Sequence, residues 1–195
     1  MAKSLKGSRT ANNLLTAFAG ESQARMRYTY YAKKAKEEGY VQIRNIFEET
    51  ARNEEEHAKR FYKFLAADLE GEALKVEWDF PVNFADTASN LLAAAEGEHE
   101  EFVEMYPDYA DIADEEGYNM VAKAFREIAL VEDRHERRFR KLLQNIKDNT
   151  VFKKEGPTLW KCDNCGYVYE GAEAPVVCPA CLHKQEYFEL FVENY

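Results

Sequence analysis

No cysteine precedes Cys162 in this 195-residue chain, prolines number only five, and no apolar run approaches the roughly 20 residues that cross a bilayer. The start, MAKSLKGSRT, lacks the hydrophobic centre of a secretory signal, so the cytoplasm is the expected address and no membrane partner is expected. Basic charge is in short supply. Lys and Arg total 26 against 36 Asp and Glu, for a formal net charge of -10, and no basic patch stands out. Such a surface repels polyanions, which argues against nucleic acid as a partner. A Gly-rich dinucleotide fingerprint is also missing, so a nicotinamide is not expected to bind this chain directly.

The residues that are present divide in two. Residues 8 to 148 hold good helix formers with apolar residues three and four apart, which predicts helices over about 10–38, 41–68, 86–116 and 118–148. A less regular crossing, about 69–85, separates the second from the third. The stretch KDNTVFKKEGPTL then turns polar, and the rest of the chain is short, aromatic and cysteine-bearing. The expected units are therefore 1–150 and 151–195. A hydrophobic content of 46% supports one substantial core and a small second one.

The helical part repeats itself. EEGY occurs before both Val41 and Asn119, AGE at 19–21 matches EGE at 96–98, and Phe47, Ala51, Arg60 and Phe61 match Phe125, Ala129, Arg138 and Phe139. Gly39 and Gly117 fit as helix C-terminal caps. Two like hairpins joined by a long crossover make a mainly α protein, a four-helix bundle of ferritin-like topology.

In NEEEH, residues 53–57, only Glu54 stands three residues before His57 and so shares its helix face. VEDRH gives the same answer for Glu132 and His135. Each pair interrupts an apolar stripe: Ile43, Phe47, Thr50, Phe61 and Phe64 in one helix, and Val121, Phe125, Ile128, Phe139, Leu142 and Ile146 in the other. Glu21 interrupts the stripe of Leu14, Phe18, Ala24, Tyr28, Tyr31 and Ala35. Glu98 and Glu101 lie on that of Leu91, Ala94, Met105 and Ile112. Five carboxylates and two histidines thus face the interior, where unpaired ions cost several kcal/mol each, so a compensating charge is required.

Counted from the hairpin glycines, Glu21 and Glu54 sit at one height, roughly 25 Å from the turn at about 1.5 Å per residue. The second hairpin carries one residue more between Glu98 and Gly117, near Pro107, which predicts a local bulge there. One Glu from each of two helices plus Glu-x-x-His from each of the others is the ligand set of carboxylate-bridged di-iron or di-manganese bundles. The bland alternative is salt bridging among solvated side chains, which suits an isolated E-x-x-H but not four agreeing stripes. Glu55, Glu56, Glu96, Glu100 and Asp133 are expected in solvent, and His99 to a side or in solvent. For Tyr28 and Tyr106 two readings stand open, core packing and hydrogen bonding to the carboxylates.

CDNC at 162–165 and CPAC at 178–181 give C-x2-C-x12-C-x2-C, which in a reducing compartment argues for metal over disulfides. Cys162, Cys165, Cys178 and Cys181 can close a tetrahedral sulfur site for zinc or iron. CDNCGYVYEG and YFEL, with Trp160, Tyr167, Tyr169 and Phe188, resemble rubredoxin, in which an aromatic core surrounds one iron. Leu182 departs from that pattern, standing where the second knuckle usually has glycine, and a plain zinc ribbon remains an alternative for this unit.

Together, LTAFAGESQAR, EEEHAKR, GEHEEFVEMYP, VEDRHERRF and the cysteine unit resemble the rubrerythrin family over nearly the whole chain. The resemblance implies a ferritin-like domain with a non-haem di-iron centre held by Glu21, Glu54, His57, Glu98, Glu101, Glu132 and His135. It implies a rubredoxin-like domain with one mononuclear iron on the four cysteines. The implied activity is a peroxidase that reduces hydrogen peroxide to water in oxidative stress defence. Electrons would come from a redox protein donor, such as a rubredoxin or an NAD(P)H-linked reductase, and the chain would form a homodimer or higher homo-oligomer. It further implies that one iron exchanges His57 for Glu101 on oxidation. A ferroxidase or iron store of the ferritin-like class is the runner-up, and a zinc-containing structural protein is the alternative from another class.

Overall fold

The computed structural model describes residues 3–194. Helix α1 runs Arg9–Glu37 and α2 Val41–Leu69, forming the first hairpin. Ser8 caps α1 by accepting from the Ala11 N–H at 3.0 Å. At the turn, Tyr40 N–H reaches back to the Ala35 carbonyl (2.8 Å) and Gly39 takes φ +82°, a left-handed C-terminal cap. The second hairpin closes the same way, with Tyr118 N–H on the Ala113 carbonyl (2.7 Å) and Gly117 at φ +82°. The repeated EEGY is thus one capping device used twice.

The third helical stretch is interrupted. Helix α3 spans Thr87–Glu100, capped by Asp86, then Glu101–Met105 form a π-helical turn, and α4 continues over Tyr106–Glu115. The Tyr106 N–H bonds to the Glu101 carbonyl, five residues back. This is the expected bulge, and Pro107 comes directly after it, where its missing N–H removes a rung of the ordinary ladder. The inserted residue rotates everything beyond it. Tyr106, Tyr109, Ala110 and Ala113 are therefore the buried residues of α4, while Met105 and Ile112, expected on the interior stripe, are only partly buried. Helix α5, Asn119–Lys147, completes the bundle.

Two apolar clusters fill the bundle. One gathers Leu14, Phe61, Leu65, Tyr106 and Phe125, and the other Tyr28, Tyr31, Phe47, Leu91 and Phe139. On each of the four helices a glutamate lies between residues of the first cluster and residues of the second, so the carboxylates form a layer between two dry walls. The crossover, 70–86, has no regular structure and is pinned to α1 by Gln23 Nε2 on the Pro81 carbonyl (3.1 Å) and Tyr31 Oη on the Asn83 carbonyl (2.8 Å).

The C-terminal unit is an antiparallel sheet in the order β2-β1-β3, with β1 Lys153–Cys162, β2 Val168–Glu173 and β3 Phe188–Leu190. Its core holds Trp160, Cys162, Ala174, Cys178 and Phe188, with Tyr167 and Tyr187 against them. Tyr169, expected in this core, is exposed instead; it shares a sheet face with its cross-strand partner, buried Trp160, but stands on the edge strand β2, where its ring lies over Gly171 and stays open to solvent. The unit meets the bundle at the first hairpin turn, where Phe152 stacks on Tyr40 and Asn45 donates to Asp163 (3.1 Å). Among the described residues no helix is long and apolar enough to cross a membrane.

Candidate metal centres

The two Glu-x-x-His pairs meet face to face. His57 Nδ1 lies 2.9 Å from Glu54 Oε2, 3.0 Å from Glu132 Oε1 and 3.7 Å from Glu21 Oε1. His135 Nδ1 lies 2.8 Å from Glu132 Oε2, 3.2 Å from Glu54 Oε1 and 3.6 Å from Glu98 Oε2. Glu54 and Glu132 therefore each turn one oxygen toward one imidazole and the other oxygen toward the second. Two ligand groups result, Glu21, Glu54, His57, Glu132 and Glu54, Glu98, Glu132, His135, each with donor atoms within 4.8 Å of one another. They share Glu54 and Glu132.

These donors are buried and poorly matched to one another as hydrogen-bond partners. Glu21, Glu54, Glu98 and Glu132 are at most 1% exposed. Glu21 Oε2, Glu54 Oε1, Glu98 Oε2, both oxygens of Glu132 and His135 Nδ1 make no well-aligned hydrogen bond, although the two imidazoles stand as close as 2.8 Å to these carboxylates. Orphaned lone pairs at such depth are costly, and aimed at common points they are what a cation satisfies. Three carboxylates and an imidazole per point suit iron or manganese. The donor set fits a two-metal centre.

The electrostatics agree. Burial, then the charges of Glu54, Glu101 and Glu132, push the Glu21 carboxyl well above the usual range. Burial and Glu54 push Glu98 up to about 8. Burial also opposes the charged form of Glu54, but the adjoining His135 and His57 rings outweigh it and hold Glu54 down at about 2. The same contacts overcome the burial of the imidazoles, raising His57 to about 10 and His135 to about 12. With no metal bound, these shifts favour charged imidazoles beside an ionised Glu54.

Tyrosines complete the layer. Tyr106 Oη donates to Glu21 Oε1 at 2.6 Å and Tyr28 Oη to Glu98 Oε1 at 2.5 Å, both buried. Of the two readings left open for them, hydrogen bonding is the one observed, and each ring also packs in a core cluster. Glu101 stands in neither ligand group. It is half-buried at the start of the π turn, close enough to the site that its charge acts on Glu21.

The predicted solvent residues are mostly so placed, with one correction. Asp133 is buried, because Arg137 one turn later folds over it at 2.9 Å. Glu136 is buried as well, between Arg140 (2.6 Å) and the exposed ring of His99 on α3 (3.0 Å), a pairing that sequence spacing gives no sign of.

In the C-terminal unit all four cysteine sulfurs converge within 4.8 Å, with Cys162 to Cys181 and Cys165 to Cys178 each 3.7 Å apart. That is far beyond a disulfide and close to the roughly 3.8 Å edge of a tetrahedron with metal–sulfur bonds of about 2.3 Å. Both knuckles share one backbone pattern. Gly166 N–H returns to the Cys162 carbonyl (2.8 Å) and Leu182 N–H to that of Cys178 (2.9 Å). Gly166 takes φ +77° and Leu182 φ +62°, so leucine occupies the left-handed turn that glycine fills in the first knuckle.

Comparisons with known proteins agree with both centres. A family model described as Rubrerythrin matches residues 12–143, and one described as Rubrerythrin, rubredoxin-like domain matches residues 160–189. The chain is 60% identical to the rubrerythrin of Clostridium perfringens over 194 residues, covering 99% of this chain and 100% of that one. It is 55% identical to the rubrerythrin of Nitratidesulfovibrio vulgaris, with the same coverage. Among solved structures, mixed-valence nigerythrin superposes with a TM-score of 0.65 at 32% identity, covering 98% of this chain and 91% of that one. The bacterioferritin of Desulfovibrio desulfuricans, at 20% identity and TM-score 0.65 over 73% of this chain and 82% of its own, shares the fold.

Proposed function

Because this chain belongs to the rubrerythrin family, we propose that it is a peroxidase that reduces hydrogen peroxide to water, as a defence against oxidative stress. As a family member it is a di-iron oxidoreductase whose cofactors are a di-iron centre in the bundle and one iron on the cysteine unit. The observation that carries the reading is the sharing of Glu54 and Glu132 between two ligand groups in a chain that also bears a four-sulfur centre. An iron store alone leaves that centre without a task.

In this reading the di-iron ligands are Glu21, Glu54, His57, Glu98, Glu132 and His135, with Glu101 as the alternate to His57. Cys162, Cys165, Cys178 and Cys181 hold the single iron. The bundle unit is 1–150 and the cysteine unit 151–195. The bound irons supply the two electrons that, with two protons, convert one hydrogen peroxide to two waters.

The protein's own contribution is positional. Tyr106 and Tyr28 fix one oxygen each of Glu21 and Glu98, leaving the other oxygen free for metal. The apolar clusters above and below keep bulk water from the layer. A carboxylate at Glu101 favours the more charged ferric ion, an imidazole at His57 the ferrous one. The cysteine unit takes electrons singly from an outside donor, a rubredoxin or an NAD(P)H-linked reductase. We place the protein in the cytoplasm as a homodimer or larger homo-oligomer, where a reducing compartment keeps the cysteines as ligands.

The test is to reduce the iron-loaded protein without oxygen, add one equivalent of hydrogen peroxide and monitor the spectra of both centres. Rapid oxidation of the di-iron site, then of the cysteine iron as it passes electrons on, supports the peroxidase. Slow reaction with peroxide and fast reaction with oxygen overturns it in favour of a ferroxidase.

A further inference from the structure

A small cavity of about 70 Å³ lies beside Glu101, between α1, α3 and the crossover, and its walls include Gly20, Gly97 and Arg27. A larger groove of about 650 Å³ opens outside it along α1 and the crossover. Gln23, Arg27 and Pro81 line both spaces, so these three residues form the partition between them. Gln23, Arg27 and Tyr31 are four apart and share one face of α1. Gln23 and Tyr31 fasten the crossover through its Pro81 and Asn83 carbonyls. Arg27 stands between the two fastenings, and its Nε is buried without a hydrogen-bond partner.

The glycines hold the inner space open. Gly20 and Gly97 occupy matching positions of the internal repeat, in helix interiors where glycine disfavours the helix. A Cβ at Gly20 would stand 3.9 Å from Glu101 Oε1, and one at Gly97, a wall residue of the cavity, would meet nothing within 4 Å. At about 70 Å³ the space takes roughly two waters at about 30 Å³ each. Hydrogen peroxide fits it, and a hydroperoxide carrying a tert-butyl group does not.

We propose that this partition is the inlet for peroxide, that Arg27 is a positioning residue whose guanidinium admits and orients the small polar substrate toward Glu101, and that Gly20 and Gly97 set its size limit. The proposal rests on the peroxidase reading. It makes the enzyme selective for hydrogen peroxide over alkyl hydroperoxides by access rather than by chemistry.

The experiment uses the full iron-loaded chain as wild type, Gly97→Ala, Gly97→Val, Arg27→Leu and Arg27→Lys. Three quantities are read: the bimolecular rate of di-iron oxidation by hydrogen peroxide, the affinity of the oxidised site for azide by spectral titration, and the melting temperature of the metal-free protein. Gly97→Val is expected to lower the rate and the azide affinity at least tenfold with the ferric spectrum preserved. Gly97→Ala lowers both by less while raising the melting temperature, a combination that loss of structure does not produce. Arg27→Leu lowers the rate without changing re-reduction by the cysteine iron, and Arg27→Lys restores most of it. Wild-type rates and azide affinities in Gly97→Val and Arg27→Leu overturn the inlet while leaving the peroxidase intact. A wild type that peroxide does not oxidise overturns the peroxidase reading itself, and the inlet with it.

Discussion

The Tyr106 hydroxyl donates to Glu21 at 2.6 Å across 85 residues of sequence, and it does so because the π turn at Glu101–Met105 rotates Tyr106 into the bundle. Tyr106→Phe removes that donor while keeping the ring that packs on Phe61 and Phe125. The fold is expected to survive. Iron affinity at the Glu21 side should fall about 10- to 100-fold, as for other residues that orient a metal ligand. Competition with a chelator measures this, and unchanged affinity would show that the hydrogen bond does not orient Glu21.

Shared and unshared ligands should differ in how much iron they cost. Glu54 belongs to both ligand groups and Glu21 to one. Glu54→Ala is expected to empty the bundle of iron, whereas Glu21→Ala weakens one of the two positions first. Iron content per chain, with the cysteine iron counted separately by its colour, distinguishes them. Equal losses in the two variants would count against bridging.

Leu182 holds φ +62° with its side chain 78% exposed, so it carries backbone strain with little packing in return. Leu182→Gly relieves a left-handed conformation that costs about 1–2 kcal/mol in an L-residue. The variant should retain its cysteine-bound metal to higher denaturant concentration. Earlier loss of the metal would show that the leucine packs usefully.

Removing the metal should make stability depend steeply on pH. Glu98, raised from 4.5 to about 8, contributes fully below 4.5 and loses its contribution as pH rises through 8. His57 and His135, raised from 6.5 to about 10 and about 12, contribute fully below 6.5 and lose it as pH climbs through those values. Glu54, lowered to about 2, loses its contribution only as pH falls toward 2. The metal-free protein should therefore melt highest in mildly acidic solution and progressively lower toward alkaline pH. Iron loading should flatten that slope, since bound metal favours ionised carboxylates and neutral imidazoles. A metal-free melting temperature that stays level from about pH 5 to about pH 9 would contradict these shifts.

Electron transfer between chains can be tested by complementation. Chains with Glu54→Ala lack a working bundle site and chains with Cys165→Ser lack a working cysteine site. Mixed dimers should recover about half of the wild-type turnover if electrons cross between subunits. No recovery would place the transfer within one chain.

Much of the fold and of both centres was legible in one dimension. The hairpin turns, the Glu-x-x-His pairs, the two C-x-x-C pairs and the bulge near Pro107 all derive from local spacing, because a helix presents every third or fourth residue to one side and a knuckle needs its cysteines close in sequence. Met105, Ile112 and Asp133 were misplaced by the same arithmetic. One added residue in a π turn shifts the facing of every later residue, and a neighbouring arginine can cover a carboxylate that its helix position would expose.

The sequence by itself determined the faces that carry Glu21, Glu54, Glu98 and Glu132 inward and how far each lies from its turn, since regular helix geometry is fixed by the backbone. Only the tertiary structure decided that Glu54 and Glu132 are the shared pair, that Tyr28 and Tyr106 reach the carboxylates, and that Arg27 stands in the partition beside Glu101. Those relations join different elements, and the packing of helices against one another and against the crossover sets them.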